Sequence, residues 1–139
     1  MGVRQRATVK VESFTPDTAM EPIGPYSHIT RAGRFIAISA TAGVDPATGE
    51  LAGPDAYAQT RQILKAFRAM LEGVGSNMNH VLHVHVFLRS IQDFDEMNRA
   101  YREEFGEHLP ARSVIGVNEL PKAGAVVTMN LTAVTIAES

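Results

Sequence analysis

The sequence predicts an α/β fold of two layers, one sheet with two helices packed on one of its faces. Three observations lead there. Two segments carry apolar residues at helical spacing, the segments around them are short and rich in Val, Ile and Thr, and the elements run β-β-α-β-α-β. At 139 residues, with 45% hydrophobic and 20% charged side chains, the chain suits one domain, residues 1–139, large enough to bury a core.

Residues 8–11 alternate weakly and suit an edge strand, and residues 15–25 form a loop punctuated by Pro16, Pro22, Gly24 and Pro25. Residues 27–30 and 35–39 read as a hairpin around Ala32-Gly33. A turn-rich stretch, 43–54, precedes the first helix. In that helix Ile63, Leu64, Phe67, Met70, Leu71 and Val74 recur at steps of three and four, with Asp55 placed to cap the start and Gly73 or Gly75 suited to the end. Residues 81–88 form an apolar strand interleaved with His83 and His85. Phe94, Met97, Tyr101 and Phe105 mark the second helix, which Gly106 ends, and strands follow at 113–117 and 125–136. Two helices cover one sheet face. The other carries Val, Ile, Ala and Leu among polar residues, so self-association is expected.

Charge and composition weigh against several functions. A net charge of -2 without any basic run offers no footprint for nucleic acid. The absence of cysteine removes disulfides, thiolate nucleophiles and zinc-thiolate sites. The basic amino-terminal stretch has no apolar segment behind it, as a secretory signal would, and no apolar run nears the ~20 residues that span a bilayer. A cytoplasmic protein is expected.

Few constellations carry chemistry. His83 and His85 share a strand face and could chelate a metal, but no third ligand lies in a partner motif, so a hydrogen-bonded sheet or interface role is expected and no metal site is assigned. Asp93, Asp95, Glu96, Glu103 and Glu104 fall on the second helix at spacings that suit a solvated face. Gly73-Val74-Gly75 follows a helix instead of preceding one and fails as a phosphate loop, and Ser39 and Ser113 lie in no nucleophile motif. Pro110-Ala111-Arg112-Ser113 is more informative. Arg112, at a strand's mouth behind a proline, presents a fork that matches a carboxylate, although pairing with a neighbouring Glu is the commoner fate of such a residue.

From residue 23 to 134 the chain resembles the Rid/YjgF/RidA family. The matching stretches are IGPYSH, FIAISA, DPATGEL, QTRQIL, VFL, DFDEMNRAYREEFGEHLPARS and LPK. The resemblance implies a chorismate-mutase-like sandwich assembled as a trimer, with the sheets lining a central barrel and ligand clefts between subunits. It implies hydrolysis, without a cofactor, of reactive enamines and imines such as 2-aminoacrylate or 2-iminobutanoate to 2-keto acids and ammonia. In it Arg112 takes the place of the arginine that grips the substrate carboxylate, Tyr26 the cleft tyrosine, Ser39 the strand serine and Asn98 the helix asparagine.

Departures accompany the match. The glutamate that orients the attacking water in the family's deaminases falls at Thr128, and the next family glutamate at Asn130. Loss of an acid/base group costs about 10²- to 10⁴-fold in rate. Ala40 replaces a glycine and Val114 stands where relatives often have cysteine. His28 shares the face of Tyr26 in a strand and offers another acid/base group, although an interface histidine is the commoner role. The expectation is therefore an imine deaminase built on Arg112 and Thr128, with a non-enzymatic trimeric binder of small keto acids as the alternative. A ribonuclease or translation-inhibitor role, attached to some relatives, fits the acidic composition poorly.

Overall fold

The computed structural model describes Gly2 and residues 8–17 and 19–138, so much of the basic amino-terminal stretch lies outside the described residues. The elements are β1 (Val11–Phe14), β2 (Ile29–Ala32), β3 (Phe35–Ala42), β4 (Val44–Asp45), β5 (Glu50–Leu51), α1 (Ala56–Gly73), β6 (Val81–Leu88), α2 (Phe94–Phe105), β7 (Ala111–Gly116) and β8 (Val127–Val134). Six strands form one sheet in the order β1-β2-β3-β8-β6-β7, while β4 and β5 pair as a separate ribbon. The expected order of elements holds, the edge strand at the amino-terminal side included, with the β4–β5 ribbon added.

Both helices lie on one side of this sheet. α1 buries Ile63, Leu64, Phe67 and Leu71, and α2 buries Met97, Ala100, Tyr101 and Phe105. They meet Ile36 and Ile38 of β3, Val84, Val86 and Leu88 of β6, and Met129 and Leu131 of β8 in one core. Each large apolar side chain taken from water contributes roughly 1.5–3 kcal/mol. Asp55 caps α1 as predicted, its Oδ1 accepting from the Ala58 N–H at 2.7 Å.

Period-two alternation sends the intervening residues to the uncovered face. Phe35 and Ile115 are 66% and 48% exposed there, beside His83, His85, Asn130 and Thr132. Among the described residues no helix is long and apolar enough to cross a membrane.

Boundaries differ from expectation where long-range pairing decides them. β1 starts at Val11, later than predicted, because its ladder pairs Phe14 with Ile29 and Val11 with Ala32. Arg31 then lies 5.2 Å from the Phe14 ring and pairs with Glu12 at 3.3 Å. β2 begins at Ile29 and turns into β3 through Gly33-Arg34, with Gly33 at φ 60°, the glycine-first arrangement of a two-residue hairpin. β7 begins at Ala111, two residues early, because its parallel ladder with β6 starts at the pair His83–Ala111. Arg112 is thus inside the strand, not at its mouth. β8 loses both predicted ends to turns, one closed by the Ala125 N–H on the Lys122 carbonyl.

One buried polar residue ties the loops to α1. Gln59 is fully buried, donates to the carbonyls of Gly53 and Gly124, and accepts from the Val126 N–H at 2.9 Å. Gly43 sits on the same turn of α1, where a Cβ would stand 2.5 Å from the Gln59 carbonyl oxygen. Gln59→Leu leaves three backbone groups unpaired and is expected to destabilise the fold by roughly 2–4 kcal/mol. A lowered urea midpoint with an unchanged m-value is the check.

Candidate functional site

Arg112 is set by two elements. Its backbone belongs to β7, opposite Val84, so its side chain leaves the sheet on the helical side and runs against α2. Phe94, Met97, Asn98 and Tyr101, one stripe of that helix, receive it. Nη1 donates to Asn98 Oδ1 at 2.7 Å and lies 3.9 Å from Met97 Sδ. The guanidinium carbon stands 4.8 Å from the Tyr101 ring centre and 5.8 Å from that of Phe94. Phe94, one of the residues whose spacing marked this helix, remains at the surface beside this cation.

Among the described residues Arg112 forms no ion pair, so the pairing with a neighbouring glutamate that the sequence allowed is not made. Two acids of the same helix are engaged with α1. Glu103 accepts from the Tyr57 hydroxyl at 2.6 Å, which raises the Tyr57 pKa. Glu104 pairs with Arg61 at 3.3 Å and Arg68 at 3.8 Å. Asp95, Glu96 and Glu103 are exposed, as the spacing predicted, whereas Glu104, 13% exposed, departs from the solvated face expected for it because the helices pack side by side and bring it against the arginines of α1. A half-buried guanidinium flanked by two rings, with one nitrogen held and no acid beside it, is a ready receptor for a planar anion. Tyr101, 5% exposed, has a phenol without a hydrogen-bond partner among the described residues, and burial pushes its pKa up to about 12 against the opposing pull of Arg112.

Tyr26, Ser39 and Thr128 gather at a different place, a cavity of about 910 Å³. Its wall is β3 around a register shift between Ile38 and Thr41, closed by the loop before β2 and by one flank of α1. That volume is ample for a small metabolite. Ser39 donates its N–H to the His28 carbonyl at 2.9 Å and its hydroxyl to the Ser27 carbonyl at 2.6 Å, leaving the hydroxyl oxygen as an acceptor. Thr128, 8% exposed on β8 between Ala42 and Phe87, lines the cavity with Asn130. Ala40 lies in the wall as well.

The structure thus joins Arg112 to Asn98, and Tyr26 to Ser39 and Thr128, but leaves the two groups apart: neither Arg112 nor Asn98 lines the cavity. His83 and His85, with ring centres 4.3 Å apart on the uncovered face, reach Ser113 and Asn130 respectively. Sequence reasoning missed Lys65 and Lys122 in the cavity wall. Only the second had a signal, its place in LPK.

A family model described as endoribonuclease L-PSP matches residues 6–135. The chain belongs to this family. A RutC family protein of Pyrococcus horikoshii is 44% identical over 111 residues, 80% of this chain and 88% of its own length. A human protein named 2-iminobutanoate/2-iminopropanoate deaminase is 34% identical over 111 residues, 78% of this chain and 81% of its own. The crystal structure of YyfA from Yersinia pestis, described as belonging to the conserved Rid protein family, superposes with a TM-score of 0.85 at 30% identity, covering 91% of this chain and all of that one. The expected Rid/YjgF resemblance and the two-layer α/β fold are therefore both borne out. Imine deaminases occur within the Rid family to which this chain belongs.

The Tyr101 phenol sets a pH signature for this Rid chain. Its folded pKa lies above the unfolded value of about 10, so the folded state holds the proton more tightly. The resulting stability is complete below pH ~10 and is lost as pH rises towards ~12. Tyr101→Phe is expected to flatten that alkaline decline in melting temperature, followed by circular dichroism between pH ~9 and ~12.

Proposed function

We propose that this chain hydrolyses reactive enamine and imine carboxylates of the 2-aminoacrylate or 2-iminobutanoate type, giving a 2-keto acid and ammonia. One observation carries the reading. The Arg112 guanidinium is held by Asn98 on a rigid strand edge, between Tyr101 and Phe94 and without an acid partner among the described residues. Such a fork binds a carboxylate in two-point fashion and fixes the neighbouring C=N carbon for attack. Relatives named 2-iminobutanoate/2-iminopropanoate deaminase in Homo sapiens and Dermatophagoides farinae support the substrate class.

In this reading the complete site is shared. Arg112 and Asn98 stand at the β7 edge, whereas Tyr26, Ser39 and Thr128 line the cavity, so the edge of one copy closes the cavity of the next in a trimer. The uncovered sheet face, with Phe35 and Ile115 exposed, is what such an assembly would bury. Tyr26 and Ser39 shape the pocket and Thr128 holds the water. A threonine hydroxyl can orient that water but cannot take its proton at neutral pH.

That last point favours a second reading, a binder of small keto acids without catalysis, since neither Thr128 nor Asn130 carries a carboxylate. A coupled assay separates them. A pyridoxal-dependent dehydratase generates 2-iminobutanoate in place and release of 2-oxobutanoate is followed. The native chain is expected to accelerate release, Arg112→Ala to lose about 10²-fold or more in kcat/KM, and Arg112→Lys to recover little, because an ammonium lacks the fork. No acceleration by the native chain, with a gain on Thr128→Glu, would mean a binder or another substrate. A stable monomer on sizing would remove the shared site.

A further inference from the structure

The cavity wall contains a base, at the last position of the IGPYSH stretch, to which the deaminase reading gives no role. The geometry points to His28 as the group that takes the proton of the attacking water, in a cavity where Thr128 occupies the glutamate's position. This rests on the deaminase reading above and supplies the step that reading lacks.

The ring is held at one nitrogen and, among the described residues, open at the other. His28 Nε2 is hydrogen-bonded to the Met20 carbonyl oxygen. A carbonyl oxygen only accepts, so Nε2 carries the hydrogen and the neutral ring keeps its lone pair on Nδ1. That is the tautomer a general base needs, set by a backbone atom. The main chain is held too, by the Ser39 N–H on the His28 carbonyl at 2.9 Å. The Tyr26 ring packs edge-on against the imidazole, with centres 5.9 Å apart and planes at 82°. His28 lines the same cavity as Tyr26, Ser39 and Thr128 and is half-buried.

The other titratable groups lining this cavity suit the task less well. Lys65 and Lys122 present ammonium groups, which donate and do not accept. Tyr26 presents a phenol with its proton on. Glu21 is exposed, and no hydrogen bond holds its carboxylate among the described residues. His28 alone in this set combines a free lone pair with a fixed orientation.

The step balances. Nδ1 removes one proton from water as its oxygen bonds to the carbon of the protonated imine and the C=N π pair moves to nitrogen, giving a neutral carbinolamine and an imidazolium. The imidazolium returns that proton to the amine nitrogen, which becomes an ammonium. The C–N bond then breaks as Nδ1 takes the hydroxyl proton and the C=O bond forms, leaving keto acid, ammonia and, on the ring, the proton the imine brought, which passes to solvent. Imine and water are the only reactants.

The test uses the native chain, H28Q and H28Q/T128E in the coupled 2-iminobutanoate assay, with circular dichroism and sizing as controls of fold. H28Q is expected to lower kcat by about 10²-fold or more with little change in KM. The native kcat/KM should fall as pH drops from about 8 to 5, the signature of an imidazole base. In H28Q that limb should vanish, and T128E should restore a substantial part of the lost rate by supplying a carboxylate. An active native chain without the acid limb, or an H28Q protein within about twofold of native across that range, overturns the assignment and leaves the deaminase reading standing. A native chain with no activity sinks the reading, and the assignment falls with it. The acid limb is read on the native chain, so the assignment stays falsifiable even if H28Q does not fold.

Discussion

A sheet covered on one face only is the constraint from which the rest of this molecule follows. On β8, the strand at its centre, Met129, Leu131 and Ala133 enter the core while Thr128, Asn130 and Thr132 leave it on the other side. The same alternation on β6 buries Val84 and Val86 and turns out His83 and His85. A shift of one residue in either ladder would exchange these sets and place polar groups in the core. The hydrophobic demand of the helical side therefore fixes which side chains reach the cavity and the uncovered face. Of the cavity's polar residues, Thr128, Asn130 and Thr132 are placed by this alternation on a central strand, whereas Tyr26 and His28 come from the loop before β2.

Arg112 shows the same logic from the other side. It points to the helical face, where a cation would be costly deep in the core. It survives there because β7 is an edge strand and α2 offers Asn98 and two aromatic faces in place of full solvation. Glu103 and Glu104, on the same helix as Asn98, are engaged with Tyr57 and with the arginines of α1.

Catalysis in the proposed assembly would divide labour between two rigid parts. The strand edge anchors a charge and the cavity wall handles a proton. Neither part needs a mobile lid. Gln59 binds the loops at Gly53 and Gly124 to the first turn of α1 through a buried amide. In that proposal the departure at Thr128 would change the protonic side of the site while leaving the anchor in place. That pattern permits the family's scaffold to accept a different way of activating water.

The sequence by itself determined the two helices, the cap at Asp55, the order of strands and the core stripe of α1, because each rests on periodicity or on neighbours a few residues apart. Its motif stretches also marked Arg112, Asn98, Tyr26 and Ser39. Only the tertiary structure decided that Arg112 lies within β7, that Phe94 stays at the surface beside it, and that Glu103 and Glu104 face α1. The register of β1, the Gln59 contacts and the Met20–His28 hydrogen bond belong to the same class. The physical reason is common to them. Local pattern sets which way a side chain faces its own element, whereas its partner depends on how distant segments are brought together by packing and loop path.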